Sequence, residues 1–140
     1  MNGNKIVHIS DASMLAVHAL LYLAQHAESR VQTKEIAAAL GTSENHLAKV
    51  MQTLVKNGYI SSVKGPSGGF VLAAEPSSIT IRAIIETIDG KLHADFCPFS
   101  VSCNPENCIF GKDFQKHSEQ MVDILERRTL KDMQKTGAFK

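Results

Sequence analysis

A chain of 140 residues with 44% hydrophobic content is long enough for one domain with a modest core, and that content argues against disorder. Its 15 basic residues nearly cancel its 14 acidic ones, leaving +1, so global charge gives little support for nucleic-acid binding and any basic face must be local. No uncharged apolar run approaches the ~18 residues of a membrane span, and residues 1–10 hold no signal-peptide core; no membrane partner is expected and a cytoplasmic location is.

Asp11 is suited to cap a first helix. The apolar positions Leu15, Val17, Ala19, Leu20, Leu21, Leu23 and Ala24 are too numerous for one surface stripe, so burial on more than one side is expected. Thr33 caps a short second helix through Leu40, with Ile36, Ala37 and Leu40 on one face and Gly41 in the turn that ends it. Ser43 caps a third helix to about Asn57, where Leu47, Val50, Met51, Leu54 and Val55 recur at steps of three and four; Gly58 stops it.

Tyr59 to Val63 and Phe70 to Ala73 favour strands, and Lys64 to Gly69 turn them into a hairpin. Thr80 begins another short helix with Ile84, Ile85 and Ile88 apolar, closed by Gly90. Next comes a loop without sustained periodicity, carrying Cys97, Cys103 and Cys108 among prolines and asparagines. Phe110, Phe114, His117, Met121, Ile124 and Leu125 then share one stripe of an amphipathic helix of about five turns among charged neighbours. A last short helix from Thr129 through Met133 precedes a tail expected to fray. The fold class predicted is mainly α with a small β-hairpin wing.

Residues Thr33 to Asn57 meet the demand of a helix-turn-helix, in which a tight turn lets the second helix enter the major groove while the first crosses the backbone. Ser43, Asn45, His46 and Lys49, near the start of that second helix, are short or polar side chains suited to base edges and phosphates, with Asn45 and His46 the foremost candidates for base contact. In the wing, Lys64 stands beside glycines that allow close approach of the backbone to a phosphate or the minor groove. Thr33, Ser67 and Gly68 complete the candidate DNA contacts. Four lysines against two glutamates between Val31 and Leu72 give a local bias of +2. The competing reading is a small α+β domain, or a winged helix used for protein contacts.

Structural disulfides are rare in a reducing compartment, and three cysteines cannot pair completely within one chain. Thiolates are soft ligands for an iron-sulfur cluster or zinc, and an irregular loop suits the convergence of three of them. Paired short spacings typical of zinc sites are lacking, which favours a two-iron or four-iron cluster, one that oxygen can strip during handling. Structural zinc, a thiol-based switch and buried apolar cysteines are the alternatives. A fourth donor must come from elsewhere: His18, Asp11, His93 and His117 are the candidates, with His18 equally readable as a core histidine and Asp11 as a helix cap. An enzyme is not expected, since no paired carboxylates, nucleophile elbow or phosphate loop is present. No organic small-molecule ligand is expected either.

The run Leu15 to Ala24, the stretch from Lys56-Asn57-Gly58 into Gly65-Pro66-Ser67-Gly68-Gly69-Phe70, the segment Ile79 to Gly90, and three cysteines ahead of a long helix resemble the Rrf2 family of winged-helix transcription regulators over nearly the whole chain. That family includes regulators that respond to iron-sulfur status or nitric oxide. The resemblance implies a winged helix-turn-helix domain over residues 1–90, a cluster-binding loop over 91–111, and a dimerisation helix and tail over 112–140. It further implies a homodimer on double-stranded operator DNA, acting as a repressor, with a cluster held by three cysteines and a fourth ligand that varies.

Relatives draw that ligand from a histidine three residues past the last cysteine, where Gly111 stands here, or from the first helix of the partner subunit. Met14 occupies the place of a carboxylate ligand in some relatives and His18 that of a histidine ligand in a subgroup, so His18 is the first choice and Asp11 the second. Ala48 stands where relatives carry a glutamate that tunes base choice, so operator sequence does not transfer.

Overall fold

Helix α1 (Asp11–Gln25) lies inside the molecule because its apolar residues surround its axis: Ala16, Val17, Ala19, Leu20, Leu21, Leu23 and Ala24 are all buried. The computed structural model describes residues 9–94, 105–110 and 112–139. Ser10 caps α1 in place of the expected Asp11, its hydroxyl accepting the Ser13 N–H at 3.0 Å. Asp11 becomes the first helical residue, where a carboxylate meets the positive end of the helix dipole.

Helix α2 (Thr33–Leu40) is capped by Gln32 rather than Thr33, and the Glu35 carboxylate accepts the Gln32 N–H at 2.8 Å. Gly41, at φ 65°, takes the left-handed turn that leads into α3 (Glu44–Lys56), where the Ser43 hydroxyl accepts the His46 N–H at 3.1 Å. Leu47, Val50, Met51 and Leu54 bury the inner face of α3 at the predicted steps.

Strands β1 (Ile60–Val63) and β2 (Gly69–Leu72) pair antiparallel, Ile60 opposite Leu72 and Val63 opposite Gly69. The first is trimmed by one residue from its predicted span and the second is shifted by one, starting at Gly69 and ending at Leu72, although the Ala73 N–H still donates to Tyr59 O at 2.9 Å. Val31 adds a bridge to Phe70 through reciprocal bonds of 3.0 and 2.8 Å, fixing the wing to the segment before α2. This close pass demands Gly69, since a Cβ there would sit 2.8 Å from Val31 O.

Helix α4 (Ile81–Asp89), capped by Thr80, buries Ile81, Ile84 and Ile85 against α1. Helix α5 (Asp113–Arg127) is about four turns, shorter than expected because Phe110 falls in a turn before it. It buries no residue completely, and Phe114, Met121 and Ile124 are exposed together with Ile109 and Phe110. Arg82 of α4 reaches Glu126 of α5 at 3.3 Å.

Helix α6 (Leu130–Gln134) returns the chain to α1: Leu130 is fully buried, Leu130 N–H donates to Ile79 O at 2.8 Å, and Gln134 Nε2 donates to Ala24 O at 3.0 Å. Phe139 packs against the core, so the end of the tail is docked rather than frayed. Among the described residues no helix is long and apolar enough to cross a membrane.

Candidate DNA interface and cluster-ligand face

Burying Leu47, Val50, Met51 and Leu54 turns the opposite side of α3 outward, and Ser43, Glu44, Asn45, His46 and Lys49 are exposed on it. Ser43 spends a lone pair on the cap and keeps its O–H for an outside acceptor. Gln52 and Lys56 continue the exposed row from Asn45 and Lys49 at helical steps, beyond the residues that the sequence reading singles out. Thr33, half-buried, is the first residue of α2.

Lys64 and Ser67 are exposed on the wing. Gly68 is a requirement of its turn, since its N–H donates to Gly65 O at 2.9 Å and a Cβ would lie 2.3 Å from Val63 O.

A second feature lies between α1 and the helix-turn-helix. Asp11, Met14, Leu15 and His18 share one face of α1 at steps of three and four, and Leu40, Thr42 and His46 face them across an open groove of about 400 Å³. Two candidate ligands and one candidate base reader therefore line the same space.

His18 Nδ1 lies 2.7 Å from Met14 O. A carbonyl oxygen only accepts, so Nδ1 carries the proton and Nε2 of the neutral ring keeps its lone pair, the form a metal centre takes. The ring of Phe139 meets His18 edge-on at 6.3 Å and 78°. His93 is exposed at the start of the cysteine segment, and His117, exposed on α5, has Nδ1 3.3 Å from Gln120 Oε1.

Cys97 and Cys103 lie outside the described residues. Cys108 is a free, half-buried thiol just after the 3-10 turn Pro105–Asn107, flanked by an exposed ion pair of Lys112 with Glu106 at 2.8 Å. Among the described residues no group of three His, Cys, Asp or Glu converges for a metal. The donor types nevertheless suit an iron-sulfur cluster, with cysteine sulfur in the loop sequence and, on α1, an imidazole whose Nδ1 is engaged by Met14 O and whose Nε2 is left for a ligand bond.

The match to the family model described as "Rrf2: Iron-dependent Transcriptional regulator" runs over residues 9–136. The chain belongs to the Rrf2 family. A protein of Aquifex aeolicus described as an HTH-type transcriptional regulator is 38% identical over 128 residues, 89% of each chain. The solved structure of T. potens IscR is 32% identical with a TM-score of 0.72, covering 93% of this chain and 88% of that one. CymR, described as the global cysteine regulator of B. subtilis, is 25% identical with a TM-score of 0.78, covering 93% and 98%. This Rrf2 chain is accordingly a winged-helix transcriptional regulator and not an enzyme.

Proposed function

We propose that the protein is a homodimeric repressor whose operator affinity is set by an iron-sulfur cluster held by Cys97, Cys103, Cys108 and a donor from α1 of the partner subunit, His18 first and Asp11 second. The observation that carries this reading is the groove in which His18, with its ligand-competent Nε2, lies opposite Leu40, Thr42 and His46. An occupant there presses directly on the turn and the first residues of the recognition helix.

On the DNA, Asn45 and His46 meet base edges, while Lys49, Lys64 and the hydroxyls of Thr33, Ser43 and Ser67 meet phosphates, with Gly68 holding the wing turn close. The exposed apolar row of Phe114, Met121 and Ile124 on α5, continued by Phe110, suits burial against a second copy.

When bound, the cluster supplies a centre that reacts with oxidants or nitric oxide. The protein's part is to convert a changed donor at α1 into a shift of α3 relative to its counterpart, set against a half-site spacing of roughly 34 Å. A hundredfold change in affinity needs a difference of only about 2.7 kcal/mol between the two states. A thiol-based or structural-zinc reading of the three cysteines is the rival.

Iron and acid-labile sulfide counts on anaerobic wild type and Cys103→Ala separate the two. Iron, sulfide and visible absorbance in the wild type, lost in the variant, support the cluster. Stoichiometric zinc, or a colourless metal-free protein, supports the rival.

A further inference from the structure

We infer that Phe139 is a positioning residue for His18, holding its imidazole so that Nε2 stays available as a donor; this rests on the reading of His18 as a ligand. Among the described residues His18 has one hydrogen bond on its ring, to a carbonyl of its own helix, and that bond fixes the tautomer and restrains the ring from its Nδ1 edge. The second restraint comes from far along the chain. Phe139 meets the His18 ring edge-on and also packs on Tyr22, one turn further, with centroids 5.6 Å apart at 63°.

Tyr22 is itself held in place. Its ring stacks on His26 at 4.1 Å and 18°, and His26 Nδ1 bonds Tyr22 O at 2.8 Å. Phe139 thus bridges an aromatic row along α1 that runs from the candidate ligand to the C-terminal end of the helix.

The backbone supports the same reading. Phe139 has φ 62°, a left-handed conformation that L side chains with a Cβ adopt at a cost, just after Gly137 at φ 81°. The contacts to Tyr22, His18 and the core offset that cost. The segment is anchored upstream by buried Leu130 and by Gln134 on Ala24 O, and Leu130 lies three residues past the last residue of α5. A movement of α5 therefore reaches the imidazole through α6 and Phe139.

The test uses the full chain with nitrogen-15-labelled histidine, first cluster-free and then anaerobically loaded. In the cluster-free wild type, His18 should show the single tautomer protonated at Nδ1. Phe139→Ala and Phe139→Leu should broaden or split that signal, Leu serving to keep apolar packing should Ala loosen the fold, and Phe139→Tyr should restore it. In loaded protein, Phe139→Ala should release iron about tenfold faster than wild type, in the direction of His18→Ala. Wild-type ring signals and release rates in both the Ala and Leu variants, alongside a clear His18→Ala effect, would overturn the positioning role alone. A loaded His18→Ala protein indistinguishable from wild type would overturn the ligand reading beneath it.

Discussion

The buried hydroxyl of Ser13 donates to the Asp89 carboxylate at 2.7 Å and ties the start of α1 to the last residue of α4. Asp89 also accepts the N–H of Ser10 at 3.1 Å and the Ser10 hydroxyl. The helix that carries Asp11 and His18 is thus bonded to the end of α4, just before the cysteine segment in the chain. Ser13 is the one fully buried polar side chain among the described residues, so its loss is felt. Ser13→Ala should lower stability by about 1–3 kcal/mol, read as a lower urea midpoint with an unchanged m-value. An unmoved midpoint would show that the bond contributes nothing net.

Lys64 is exposed on the wing, and the proposed function puts its cation on a phosphate. Lys64→Ala should weaken binding to specific and unrelated DNA alike and reduce the slope of log K against log salt by about one unit. Loss confined to the operator, or an unchanged slope, would assign the wing a different role.

Asp132 caps α6 together with Thr129. The Thr129 N–H bonded to its carboxylate at 3.0 Å, then the Thr129 hydroxyl, hold its pKa below the ordinary 3.8, with Lys135 and Arg128 adding to the effect. A carboxylate whose folded pKa is depressed adds stability above the unfolded value and loses it as pH falls through the lower folded value. Asp132→Asn should therefore lower the thermal midpoint near neutral pH, and the two midpoints should converge well below pH 3.8. A gap that stays constant across that range would contradict the linkage.

The helix-turn-helix and wing were legible because their signals are local. Ser43, Gly41 and Gly58 punctuate the helices, the inner face of α3 repeats at helical steps, and the glycines of the wing permit the tight turn between its strands. Three other features depend on distant partners. Ser10 displaces Asp11 as the cap of α1 while Asp89, 76 residues from Ser13, holds the adjoining turn. Val31 reaches the wing through its bridge to Phe70, far along the chain, and Phe139 reads as a stray aromatic in a polar tail until α6 brings it onto Tyr22.

The face shared by Asp11, Met14 and His18 follows from spacing alone. That His46 stands across from it follows only from the packing of α1 against α2 and α3.

In the proposed function, a group held by the cysteine segment sets how tightly the helix-turn-helix holds DNA. The most direct test is the operator Kd of a single anaerobic preparation before and after iron removal, at one fixed salt concentration. A shift of about 100-fold, equivalent to about 2.7 kcal/mol, is expected. Equal Kd values for the iron-loaded and iron-free dimer, both still binding the operator specifically, would contradict it.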